Sequence, residues 1–138
     1  MIGAVIITHG RLGEELLNIA ELISGKQENF KAISITSMDK VDDARKKIKN
    51  AIKEVDKGKG VLLLTDMFGG TPSNISLSFL DESNVEVITG VNLPMLLKLL
   101  DSREEKELKE LANLIMEYGR KNISVASNRL YPDKNKKR

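Results

Sequence analysis

Residues 60–74 read Gly60-Val61-Leu62-Leu63-Leu64-Thr65-Asp66-Met67-Phe68-Gly69-Gly70-Thr71-Pro72-Ser73-Asn74. Val61 to Thr65 is a short, continuous apolar run without the alternation of a half-exposed strand, which is the pattern of a strand buried on both faces. Asp66 to Thr71 is a loop. Pro72 suits the first turn of a helix that the pattern carries to about Leu80. A buried strand, a glycine-rich loop and a helix in that order are half of a βαβ unit.

The pattern repeats outward from this centre. Upstream, Ile2 to Thr8 is a second β-branched, continuous strand. Leu12, Leu16, Ile19, Ala20 and Ile23 then fall at helical spacing, and Gly25 stops that helix. Ala32 to Thr36 is a strand. Val41, Ala44, Ile48, Ala51, Ile52 and Val55 form one face of a further helix, closed by Gly58 and Gly60. Downstream, Val85 to Thr89 is a strand and Pro94 to Leu100 a short helix. Glu104 to Tyr118 is a longer amphipathic helix ended by Gly119, and Ile123 to Ser127 reads as a fifth strand. Strands alternating with helices at this spacing imply right-handed crossovers and a mainly parallel sheet. The expected fold is one open three-layer α/β/α domain over residues 1–127, followed by a basic, disordered tail over 128–138.

Composition narrows the function classes. The chain has 138 residues and 41% apolar content, enough for one core. The formal charge of +2 belongs to the end: Lys134 to Arg138 hold four basic groups, and without them 18 basic residues face 20 acidic ones, a net of −2. With 4% aromatics and no basic-aromatic interleaving, a nucleic-acid module is disfavoured. No apolar run approaches the roughly 20 residues of a membrane span, and Met1 to Thr8 lacks the features of a secretory signal. Absence of cysteine removes disulfides, thiolate metal sites and a cysteine nucleophile, and fits a reducing, cytoplasmic location. A single histidine makes a zinc site improbable. There is no P-loop, no dinucleotide fingerprint and no GxSxG elbow, so no cofactor and no metal is expected. Ser73 lies inside a helix with nothing to set it against the histidine.

In open parallel sheets ligands bind beyond the carboxyl ends of the strands, at a topological switch point. The first strand ends Thr8-His9-Gly10 and the third ends at Asp66. If those strands are neighbours, His9 and Asp66 share a crevice. A carboxylate that accepts the proton on Nδ1 fixes the tautomer, leaves Nε2 free as a nucleophile, and stabilises the positive ring that forms as the new bond is made. Gly10, Gly69 and Gly70 bring bare amides close at helix N-termini, which favour anions. Thr71 adds a hydroxyl. Phe68, in an otherwise glycine-rich polar loop, reads as a contact for a protein partner. The acidic pairs Asp42-Asp43 and Glu104-Glu105 read as helix-start charges on solvated faces.

These stretches, together with Gly90-Val91-Asn92-Leu93-Pro94-Met95-Leu96, closely resemble the IIA component of the mannose family of the bacterial phosphoenolpyruvate-dependent sugar phosphotransferase system. The likeness runs from Met1 to about Ser127. It implies a four-stranded parallel sheet with a fifth strand at its edge, and a homodimer that exchanges C-terminal strands, Ile123 to Ser127 being the matching segment. It implies that His9 takes phosphate from phospho-HPr on Nε2, with Asp66 behind it, and passes it to the IIB component. IIB then phosphorylates a sugar entering through the membrane IIC and IID components, which would bring the chain to the inner face of the membrane. Some members continue into a IIB domain; here a lysine-rich tail follows instead, so the resemblance implies a separate IIB protein. Thr71 stands where serine is common, and Phe68 where some members have tryptophan. Two alternatives share the histidine chemistry: a regulatory IIA-like domain, and the phosphocarrier subunit of a dihydroxyacetone kinase, against which the Phe68 to Pro72 loop argues.

Overall fold

The apolar runs form strands β1 (Gly3–His9), β2 (Phe30–Ile35), β3 (Val61–Thr65) and β4 (Val85–Thr89) of one parallel sheet, ordered β2-β1-β3-β4. Helices α1 (Leu12–Ser24), α2 (Val41–Val55), α3 (Gly70–Leu77), α4 (Leu93–Ser102), α5 (Leu108–Lys121) and α6 (Ala126–Leu130) follow in chain order. The computed structural model describes residues 1–82 and 84–133.

Successive strand residues point to opposite faces, so a continuous apolar run feeds two cores. Ala4, Ile6, Leu62 and Leu64 join α1, α4 and α5 through Ala20, Leu96, Leu99, Leu111 and Ile115. Val5, Ile7, Val61 and Leu63 join α2 and α3 through Ala44, Ile48, Ile52 and Ile75. Each Leu, Ile or Val fully withdrawn from water contributes about 1.5–3 kcal/mol.

The order of strands positions the site. After β1 the chain crosses to β2 on one side, then returns past β1 to β3 on the other. The carboxyl ends of β1 and β3 therefore flank the point where the connections part. The last β1–β3 pair is Ile7 with Thr65. β1 runs on to His9, so His9 overhangs the end of β3 beside Asp66.

Several boundaries differ from the sequence reading. The glycine loop is already helical at Gly70, and α3 ends at Leu77, three residues before the expected Leu80. On α1 only Gly13 and Ala20 are fully buried; Leu12, Ile19 and Ile23 are exposed, because the face turned to the sheet is the one with small residues that allow close approach. α5 starts at Leu108 and passes through Gly119, which is buried. The expected fifth strand at Ile123 to Ser127 is absent among the described residues. Residues 123–125 are irregular and Ala126–Leu130 is a short helix. The segment does not pair with the open edge of β4, and its backbone groups find local partners instead, as in Asn128 N to Val125 O at 3.0 Å. That helix also covers residues 128–130 of the expected tail. Lys134 to Arg138, the basic part of the tail, lie outside the described residues.

Both sheet edges are open in a single chain. Along the free side of β4 runs a cleft of about 350 Å³, lined by Glu86, Ile88, Gly90, Met116 and Ile123 among others.

Candidate active site

At the end of β1 the buried hydroxyl of Thr8 shapes the turn into α1. Thr8 Oγ1 accepts from Gly13 N at 2.8 Å and donates to Gly10 O at 3.2 Å. Gly10 N in turn donates to Ile35 O at 2.9 Å. The residue between them, His9, is thereby carried to the surface, with its side chain 52% exposed.

Asp66, 12% exposed, grips His9 twice with one oxygen. Its Oδ2 accepts from His9 N at 2.9 Å and lies 2.8 Å from His9 Nδ1. A carboxylate oxygen already accepting one N–H makes a donor of the ring nitrogen beside it, so the proton sits on Nδ1 and the lone pair on Nε2. Burial pushes the Asp66 carboxyl up, but the hydrogen bonds from the His9 backbone and ring together outweigh it and hold its pKa below the ordinary value. Asp66 is therefore ionised at neutral pH.

Nε2 faces the start of α3. A Cβ added to Gly70 would lie 3.1 Å from Nε2 and 3.0 Å from Cε1 of His9, and Gly70 has φ +82°. Only glycine combines that backbone angle with that approach. The first N–H groups of α3 have no intrahelical acceptor, and the helix dipole adds positive potential at this end, so the space beside Nε2 suits an anion. A Gly70→Ala variant should stay folded by circular dichroism, at a strain cost of about 1–2 kcal/mol. Because its methyl crowds Nε2, the initial rate of any group transfer to that nitrogen should fall at least about tenfold, the rate loss of a barrier raised by about 1.4 kcal/mol.

Of the remaining sequence candidates, Gly10 has its own N–H engaged by Ile35 O and so offers no bare amide. Gly10 and Gly69 both have positive φ, +56° and +89°, and Gly69 caps α3. Phe68 and its neighbour Met67 are 75% and 54% exposed on the loop. Thr71 is exposed and shares a shallow hollow of about 210 Å³ with Val41, Arg45, Asn74 and Ile75; among the described residues its hydroxyl makes no hydrogen bond to His9. Ser73 is fully buried, which removes it as a nucleophile toward any substrate in solution. Its Oγ and Asp66 Oδ1 are the buried side-chain oxygens left without a partner among the described residues.

Two residues escaped the sequence reading. Thr8 looked like one more β-branched strand residue; the signal was its place before His9-Gly10, where a hydroxyl can fold the turn. Asn92 was visible only as part of a motif. It caps α4 through Oδ1, which accepts from Met95 N at 3.0 Å, and its Nδ2 donates to Gly119 O on α5 at 3.1 Å. The Gly90 to Leu96 stretch thus holds helices, and among the described residues it makes no hydrogen bond to His9. Among the described residues no cluster of three or more His, Cys, Asp or Glu side chains could hold a metal ion. No helix among them is long and apolar enough to cross a membrane.

The family model described as PTS system fructose IIA component matches residues 3–116. The chain is 38% identical over 126 residues to the PTS system mannose-specific EIIAB component of Escherichia coli, covering 90% of this chain and 39% of that protein. It thus spans about two fifths of the length of the mannose-specific relatives it matches. It is 32% identical over 131 residues to the PTS system fructose-specific EIIA component of Bacillus subtilis, covering 94% of this chain and 90% of that protein. The crystal structure of phosphotransferase system component EIIA from Streptococcus agalactiae superposes with a TM-score of 0.84 at 29% identity, covering 93% of this chain and 99% of that one.

Proposed function

The chain belongs to the mannose-type IIA (EIIA-man) family of the sugar phosphotransferase system, and on that footing we propose that His9 is its phosphate carrier. The observation that carries this reading is the double grip of Asp66 Oδ2 on the backbone and Nδ1 of His9, which leaves the Nε2 lone pair aimed into the anion-favouring space at Gly70.

The donor is phospho-HPr. Nε2 attacks phosphorus, the Nε2–P bond forms as the bond between phosphorus and the donor breaks, and the Nδ1 proton stays where it is. Both ring nitrogens are then substituted and the ring gains positive character, which the Asp66 carboxylate balances. The amides at the start of α3 receive the phosphoryl oxygens, and Phe68 meets the partner protein. The IIB component takes the group in the reverse of the same step, for a sugar entering through IIC and IID at the inner face of the membrane. No cofactor takes part.

Incubation with phosphoenolpyruvate, enzyme I and HPr should add one phosphate by mass, stable to base and labile to acid. His9→Ala should abolish it. A His9→Ala protein that still gains the phosphate sinks the assignment.

The chain acts as a homodimer that exchanges its C-terminal segments. Ile123 and Val125 are 74% and 63% exposed in the single chain, and the cleft along β4 lies beside an unpaired strand edge. A second copy's Ile123 to Ser127 would give that edge the ladder it lacks.

A further inference from the structure

The Gly90 to Leu96 stretch makes no hydrogen bond to His9 among the described residues, yet it ties three elements together. Gly90 N and Val91 N both donate to Thr65 O, at 2.9 and 3.0 Å, so the exit of β4 is pinned to the residue before Asp66. Asn92 follows. Its Oδ1 faces an N–H and its Nδ2 faces a carbonyl, so one orientation of the amide satisfies both partners and the reverse satisfies neither. The carbonyl belongs to Gly119 in the last turn of α5. That turn is drawn in so far that a Cβ at Gly119 would lie 2.9 Å from Met95 Cε and 3.3 Å from Asn92 Oδ1. Three residues after Gly119 comes the end cap of α5, Asn122, and then the exposed arm Ile123 to Val125. Asn92, Met95, Gly119, Arg120 and Ile123 all line the cleft along β4.

We propose that the Asn92–Gly119 latch is a positioning device for self-association: it fixes the last turn of α5 so that the arm leaves toward the cleft of a second copy. This rests on the exchanged homodimer put forward above. The last turn of a helix frays when its carbonyls lack partners. A frayed turn would let the arm start in many directions, and each lost direction must be recovered on association. The latch removes that disorder before the two chains meet. Asn92 is a positioning residue here and touches no phosphate.

Asn92→Asp separates the latch from the cap. A carboxylate at position 92 still accepts from Met95 N, but has no donor for Gly119 O. Gly119→Ala attacks the same latch from the other side. Sedimentation across a concentration series should show wild-type protein as a dimer, and both variants should raise the dimer dissociation constant by about tenfold, the cost of ordering roughly one more backbone residue on association. The double variant should be little weaker than the worse single one, because both act through one contact. The melting temperature measured at a concentration where all forms are monomeric should move little for Asn92→Asp. A monomeric wild type would overturn the homodimer itself. A dimeric wild type matched in dissociation constant by Asn92→Asp would overturn the latch while leaving the homodimer in place, and a loss of monomer stability equal to the loss of association would reduce Asn92 to a structural residue and overturn it too.

Discussion

Asp66→Asn should slow the uptake of phosphate from phospho-HPr by about two to three orders of magnitude, the usual effect of removing one preorganised electrostatic partner from a reacting group. The amide oxygen can still accept from His9 N, so the loop should keep its course. What it cannot do is balance the positive ring that forms as Nε2 bonds to phosphorus, and its NH₂ group competes for the position that orients Nδ1. The same variant has a signature in stability. The folded Asp66 carboxyl has a lowered pKa, so its contribution is present above the ordinary carboxylate pKa and is lost as pH falls through the lower, folded value. Urea midpoints measured from neutral to acid pH should therefore decline more steeply for wild type than for Asp66→Asn. Transfer at full speed by the variant would remove Asp66 from the mechanism.

Arg103→Ala should cost about 3–5 kcal/mol of stability, among the largest effects of any single change in this chain. Arg103 is 2% exposed. Its Nε and Nη2 donate to Ile2 O at 3.0 and 2.7 Å, its Nη1 to Glu28 O at 3.0 Å, and its Nη2 again to Asn29 O at 2.7 Å. The guanidinium also lies 5.4 Å from the centre of the Phe30 ring. One side chain thus joins the start of β1 to the turn before β2, where Asn29 is held at φ +54°. Alanine would strand those carbonyls and open a cavity. Lysine, with a single charged nitrogen on a flexible stem, cannot span the three carbonyls as the planar fork does, and should recover only part of the loss. A melting temperature lowered by roughly 10 °C would register it in a domain of this size. Because Arg103 sits at the amino ends of the strands, opposite His9, the folded fraction should still accept phosphate at the wild-type rate. A variant as stable as wild type would refute the role.

Arg103 also marks where sequence reading stopped. In Asp101-Ser102-Arg103-Glu104-Glu105-Lys106-Glu107 it is one charge in a charged run, and nothing local separates a buried guanidinium from a solvated one. Its partners lie more than 70 residues away in the chain. The four strands and the helices between them were legible because a strand covered on both faces leaves a continuous apolar run, and a covering helix leaves a period near 3.6. The His9–Asp66 pair was legible because strand ends and a switch point restrict where chemistry can sit. Gly119 was misread as a helix stop. A glycine that ends a helix and one that lets two helices touch look alike in sequence, and only the closeness of Met95 tells them apart. Ile123 to Ser127 carries β propensity, but a strand needs a paired neighbour, and in the single chain this segment does not pair with the open edge of β4.

The double grip on His9 has a consequence for direction. A ring held at Nδ1, on a residue whose backbone is held by the same oxygen, has little rotational freedom left. The lone pair of Nε2 therefore points along one line, open to one side. On the proposed carrier reading, a protein that loads the histidine must present phosphorus along that line, and one that unloads it must bring its nucleophile to the phosphorus along the same line. Loading and unloading are then two in-line displacements at one phosphorus, each with its own partner and both entered from the same side of the ring. If His9 carries phosphate as proposed, the direction of net transfer is then set by the phosphorylation potential of the proteins on either side.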